Sequence, residues 1–160
     1  MEYVELMGKF GESLGIEGLA PDDDGFCNFS VDGTVVSFGW RPERGLLDIV
    51  ARICDMPAED ADKVLKVLMT AMAPGSAAED YSFFVLDEDN GVYLRRAERL
   101  ADLDVEGARL ALEKFANALD EWRASIGDFL SVVPSVNAAL DRGEAEARSF
   151  GLGEQGFMQV

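Results

Sequence analysis

Apolar residues recur near the start of the chain at steps of four, three and four (Tyr3, Met7, Phe10, Leu14), which lines them along one face of a helix from about Glu2 to Leu14. Gly15 follows as a C-terminal stop. The period then changes. Asp22-Asp23-Asp24-Gly25 turns the chain into Phe26 to Val31, where Cys27, Phe29 and Val31 alternate with Asn28 and Ser30 as in a half-buried strand. Asp32-Gly33 suits a type I′ turn, whose two central residues both need φ > 0, so a second strand is predicted from Thr34 to about Trp40. Arg41-Pro42-Glu43-Arg44-Gly45 interrupts the pattern. It resumes from Leu46 to Ile53 with Leu47, Ile49, Ala51 and Ile53 on one face, completing an antiparallel three-strand meander.

Met56-Pro57 ends the sheet pattern, and Ala58 to Ala73 reads as a helix with Ala61, Val64, Leu65, Leu68 and Met72 in one stripe. Val67, Met69 and Ala71 widen that stripe beyond the arc of about 100° that one core contact needs, which points to a second buried face. Pro74-Gly75 stops the helix. Tyr81 to Leu86 and Val92 to Leu94 flank Asp87-Glu88-Asp89-Asn90-Gly91 as a hairpin, with Asn90-Gly91 as its tight turn. A long helix follows from Asp104, with Val105, Ala108, Leu112, Phe115, Leu119, Trp122, Ile126 and Phe129 at alternating steps of three and four. Beyond Val133-Pro134 the pattern weakens: Val136 to Ala147 suits a short helix, and Gly151, Gly153 and Gly156 punctuate the end. The expectation is one domain over residues 1–133 and a tail over 134–160 that is mobile or ordered by a partner.

Composition narrows the function. The 160 residues include 31 acidic and 14 basic side chains, a net charge of −17, yet 48% are hydrophobic. Such a chain builds a core while repelling its neighbours. Arg95, Arg96 and Arg99 form the nearest thing to a basic cluster, with Glu98 among them, so nucleic acid and anionic membrane surfaces are poor partners. No apolar run approaches the roughly 20 residues that span a bilayer, and Met1 to Glu5 has neither a basic nor an apolar leader region, so a soluble cytoplasmic protein is expected. The absence of histidine removes the commonest general base and metal ligand. Cys27 and Cys54 form no Cys-x-x-Cys pair and read as buried free thiols. The acidic runs lack the alternating ligands and closing Glu of a calcium loop, and no phosphate-binding loop or Gly-x-Ser-x-Gly sequence is present. Neither a cofactor nor a metal is expected.

Phe26, Val36, Phe38, Trp40 and Phe83 are more apolar residues than one helix-covered sheet face requires. They are either ordinary core or part of a second sheet face that takes a partner, for which an extended peptide is suited. A small-ligand or metal-binding α+β domain, and a structural subunit of a larger assembly, are the alternatives at this point.

The order α-β-β-β-α-β-β-α resembles the class I chaperones of type III secretion systems, the CesT/SycE/Tir-chaperone-like family. Leu6 to Ile16 looks like that family's first helix and its Phe-x-x-x-Leu-Gly-Ile exit, here Phe10 to Ile16. Gly25 to Asp32 is similar to its first strand, Leu68 to Met72 sits at its second-helix end with Met72 in place of the usual Asn, and Leu112 to Trp122 resembles its closing helix. The likeness covers about Glu2 to Ile126. It implies an α+β fold with an antiparallel sheet, a three-strand meander plus a hairpin, packed with three helices. It also implies a non-enzymatic bacterial cytoplasmic homodimer, serving virulence, that binds the N-terminal segment of a secreted effector and keeps it export-competent. The dimer would pair through the second helix and following strand, by Val67, Met69, Ala71, Tyr81, Phe83 and Val85. Effector binding is assigned to Val4, Phe26, Val36, Phe38, Trp40 and Leu46, by elimination from core positions.

Overall fold

The computed structural model describes residues 2–76, 78 and 80–149, with side chains described as far as 130. The chain divides into two compact units, Met1–Arg123 and Ala124–Val160. The first holds α1 (Tyr3–Ser13), β1 (Phe26–Val31), β2 (Thr34–Arg41), β3 (Leu46–Asp55), α2 (Ala61–Ala71), β4 (Tyr81–Leu86), β5 (Gly91–Arg99), a 3₁₀ turn (Leu100–Asp102) and the first part of α3 (Val105–Ser149). The second continues α3, whose backbone is helical through Ser149. A break was expected at Val133-Pro134. A proline removes one bond from the helical ladder without necessarily ending the helix. The expectations for Gly151, Gly153 and Gly156 lie outside the described residues.

The five strands form one antiparallel sheet in the order β1-β2-β3-β5-β4. Asp32 (φ 49°) and Gly33 (φ 79°) both take positive φ, as a type I′ turn demands. The second hairpin differs from its expected form. Leu86 pairs with Gly91, so the loop is the four residues Asp87 to Asn90, and it is Asn90 (φ 51°), without Gly91, that adopts the left-handed conformation. β5 also runs on to Arg99, well past Leu94.

Residues directly opposite one another share a face. One row reads Cys27, Phe38, Ile49, Arg96, Tyr81, and the next Phe29, Val36, Ala51, Leu94, Phe83. This is the covered face. Phe10 of α1 stacks on Phe38 at 5.2 Å and meets Phe29 edge-on at 5.8 Å, while α3 brings Trp122 against Phe83 at 4.8 Å and Phe115 near Tyr81 at 6.5 Å. Leu6, Met7, Phe10, Phe38, Leu47, Ile49, Leu94 and Phe115 are fully buried here. Gly11 has a steric reason: a Cβ there would lie 2.6 Å from Leu19 Cβ, where the chain folds back under α1. Arg123 ties α3 to the strand ends, donating from Nη1 to Thr34 Oγ1 (2.8 Å) and from Nη2 to the Arg52 carbonyl (2.7 Å).

Candidate functional site

The opposite face carries Phe26, Asn28 and Ser30 of β1, Val35, Ser37, Gly39 and Arg41 of β2, Leu46, Asp48, Val50 and Arg52 of β3, Tyr93, Arg95, Ala97 and Arg99 of β5, and Ser82, Phe84 and Leu86 of β4. Most of these side chains are half-exposed or exposed, Val35 at 63% and Phe26 at 44%. Where residues are buried, neighbouring side chains do it. The Phe26 ring lies over Gly39 so closely that a Cβ there would sit 2.6 Å from it. Asp48 is held between Arg41 and Arg95, and Phe84 stacks on Tyr93 at 5.3 Å. The result is an aromatic and arginine-bearing sheet surface of the kind an extended segment can lie on.

The six residues assigned to effector binding fall in three places. Phe26 and Leu46 are on the open face. Val4 is exposed on the solvent side of α1, where Tyr3, Leu6, Met7 and Phe10 face the core. Val36 and Phe38 are core residues at 1% and 0% exposure, which takes them out of reach of a partner, and half-buried Trp40 stacks on Tyr3 at 6.1 Å on the same covered face. The alternation in β2 separates two faces without saying which one α1 covers. Its even positions lie on the α1 side, with Val36 and Phe38 in the core and Trp40 half-buried. Val35, Val50, Phe84 and Tyr93 were missed for the same reason.

The dimer residues divide as well. On α2, Val64 and Leu68 are buried, Val67 and Ala71 are half-buried, and Leu65 (39%) and Met69 (69%) are exposed. Val67 and Met69 are two residues apart and so stand on nearly opposite sides of the helix, about 200° apart. The exposed apolar side is Leu65 and Met69. Tyr81, Phe83 and Val85 are half-buried, and the Tyr81 and Phe83 rings lie against Phe115 and Trp122 of α3, so what β4 leaves open is its backbone edge. The end of α2 reaches that edge, where the Phe83 N–H donates to Met72 Sδ at 3.3 Å.

Other candidate chemistry is structural. Asp22 Oδ1 accepts from the backbone N–H groups of Asp24 (3.1 Å) and Phe26 (2.8 Å), so the acidic run caps its own turn. Among the described residues no three His, Cys, Asp or Glu side chains converge as cation ligands, and no helix is long and apolar enough to cross a membrane. Cys27 is buried and Cys54 half-buried, both unpaired by disulfide, and burial pushes both thiols above their ordinary range.

Three helices with a five-stranded antiparallel sheet are the fold of the type III secretion chaperones, and the solved structures this chain is similar to belong to that class. The SchA chaperone–effector complex with HopA1 aligns at a TM-score of 0.62 and 15% identity, over 76% of this chain and 93% of that one. The ExsC–ExsE complex aligns at 0.64 and 18%, over 78% and 96%. The Yersinia pestis type III secretion chaperone SycH, solved with a fragment of YscM2, aligns at 0.59 and 16%, over 76% and 99%. No curated protein sequence matches this chain. Residues 5–123 match the model of the Tir chaperone protein (CesT) family, and the chain belongs to that family. Its members are chaperones without enzymatic activity.

Proposed function

We propose that this protein is a bacterial cytoplasmic chaperone that binds the N-terminal segment of a secreted effector in extended form and keeps it soluble and competent for export. Family membership over residues 5–123 carries the reading, and the open face supports it. Phe26, Val35, Val50, Phe84 and Tyr93 offer apolar contact spread over all five strands, a shape suited to a long extended segment more than to a compact ligand. The working unit is a homodimer joined through the Leu65 and Met69 side of α2 and the outer edge of β4, elements that meet at Met72 and Phe83. Residues 1–133 form the chaperone domain.

The experiment is affinity capture from the native cytoplasm with mass spectrometry, limited proteolysis of the captured complex, and its mass in solution. An exported protein protected only over an N-terminal segment, with two copies of this chain per complex, supports the reading. A monomer without a protected partner overturns it.

A further inference from the structure

The open face contains a charge arrangement that apolar contact leaves unused. Asp48 is a buried acid near the start of β3, the central strand of the sheet, at 8% exposure. Arg41 approaches it with Nη2 at 2.9 Å from Oδ1 and Nε at 2.6 Å from Oδ2, and Arg95 with Nη2 at 2.8 Å from Oδ1. Arg95 Nη1 lies 3.5 Å from Ser82 Oγ, a long contact that leaves room for a better acceptor. One carboxylate therefore serves two guanidiniums, each with five donors, and leaves a surplus positive charge on a molecule of net −17. The two arginine side chains retain 27% and 28% of their exposure, so the surplus is reachable from outside. Phe26 stands over Gly39, directly opposite Asp48, and Leu46 and Val50 lie two positions to either side of it on the same face.

We infer that the Arg41–Asp48–Arg95 cluster binds a carboxylate of the partner segment, an Asp or Glu flanked by apolar residues that pack on Phe26, Leu46 and Val50. The inference rests on the chaperone reading and adds the chemistry of the segment. Asp48 holds the guanidiniums in place before the partner arrives, so little side-chain freedom is lost on binding. Repulsion from the acidic remainder of the molecule is screened beyond about 8 Å at physiological ionic strength, whereas a contact within a part-buried cluster is screened far less.

The test is titration calorimetry of the full-length chain with the protected N-terminal segment of the captured partner, comparing wild type with Arg95→Gln. The expected loss is about tenfold in affinity, the effect of one charge-assisted hydrogen bond. Changing the responsible partner acid to its amide should cost the same, and combining both changes should cost no more than either. Should Arg95→Gln fail to fold, the partner amide series against the wild-type chain decides. Undiminished binding by folded Arg95→Gln, or an amide series without effect, overturns this inference alone. If Arg95→Gln weakens self-association and leaves partner affinity intact, the face belongs to a second copy and the inference is overturned. Failure to recover any protected partner removes the chaperone reading and this inference together.

Discussion

Phe38 separates a core position from a binding position more sharply than any other residue. It is fully buried, with Phe10 stacked on it and Phe29 edge-on, both at 5.2 Å between ring centroids. Phe38→Ala removes a whole ring from this three-ring cluster and leaves a cavity that α1 and β1 cannot close without moving Phe10 and Phe29. Such deletions cost about 3–5 kcal/mol. A domain of this size has about 5–15 kcal/mol in total, so the variant folds but loses a large share of its margin. With a urea slope of about 2 kcal/mol/M the unfolding midpoint falls by about 1.5–2.5 M. Trp40 and Trp122, each in an aromatic contact of the first unit, provide the fluorescence signal. Protein concentration is held fixed, because self-association raises apparent stability by mass action. Phe26→Ala is the matched control: that ring is 44% exposed, and its loss costs about 1 kcal/mol or less while weakening partner binding. A Phe38→Ala protein with an unchanged midpoint and abolished partner binding would refute the assignment of the two faces.

Met69→Glu places a carboxylate on the most exposed apolar position of α2, at 69% exposure, so if the proposed dimer forms there the variant keeps its circular dichroism spectrum and sediments as a monomer; a dimer of unchanged affinity would move the interface elsewhere. Tyr3 donates from Oη to the Phe38 carbonyl at 2.8 Å, and burial, with Cys27 beside it, holds its phenol well above the ordinary range. The unfolded chain releases this proton near pH 10 and the folded chain does not, so the stability tied to it is complete below about pH 10 and declines as pH rises further. Absorbance at 295 nm should therefore show Tyr3 ionising together with loss of helical circular dichroism, and ionisation of all three tyrosines with the fold intact would contradict it.

Local signals made most of the fold legible before any coordinates. The step pattern of Tyr3, Met7 and Phe10 and the alternation of Cys27 and Phe29 placed α1 and β1, and Asp32-Gly33 set the first hairpin, because each depends on backbone geometry within a few residues. What failed depended on tertiary partners. β5 beyond Leu94 reads Arg95-Arg96-Ala97-Glu98-Arg99, a polar run that becomes strand only because β3 pairs with it along its whole length. The site suffered most, since two-residue periodicity assigns Phe38 and Val35 to opposite faces and is silent about which lies under α1. Asp48 was invisible for a related reason. An acid alternating with Leu47 and Ile49 reads as solvent-facing, and its burial comes from Arg41 on one neighbouring strand and Arg95 on the other.

That placement also bears on how an apolar binding face survives in water before a partner arrives. A strongly acidic surface keeps whole molecules apart, but charge at a distance does not shield a patch from a close encounter, since screening limits its reach to about 8 Å. The open face has protection of its own. Arg41 and Arg95 lie in the ladder rows around Phe26, Leu46 and Val50, Arg52 stands opposite Tyr93, and Arg99 stands opposite Leu46. Arginine stems cover apolar neighbours while the guanidinium stays at the surface, and a weakly hydrated guanidinium gives up its water at less cost than an ammonium would. Aromatic rings separated by arginines are thus poor contacts for another copy of an arginine-bearing face, where like charges would meet. They remain good contacts for a segment that brings both apolar side chains and a carboxylate. On the proposed binding mode, protection of the free face and selection of its partner follow from the same side chains.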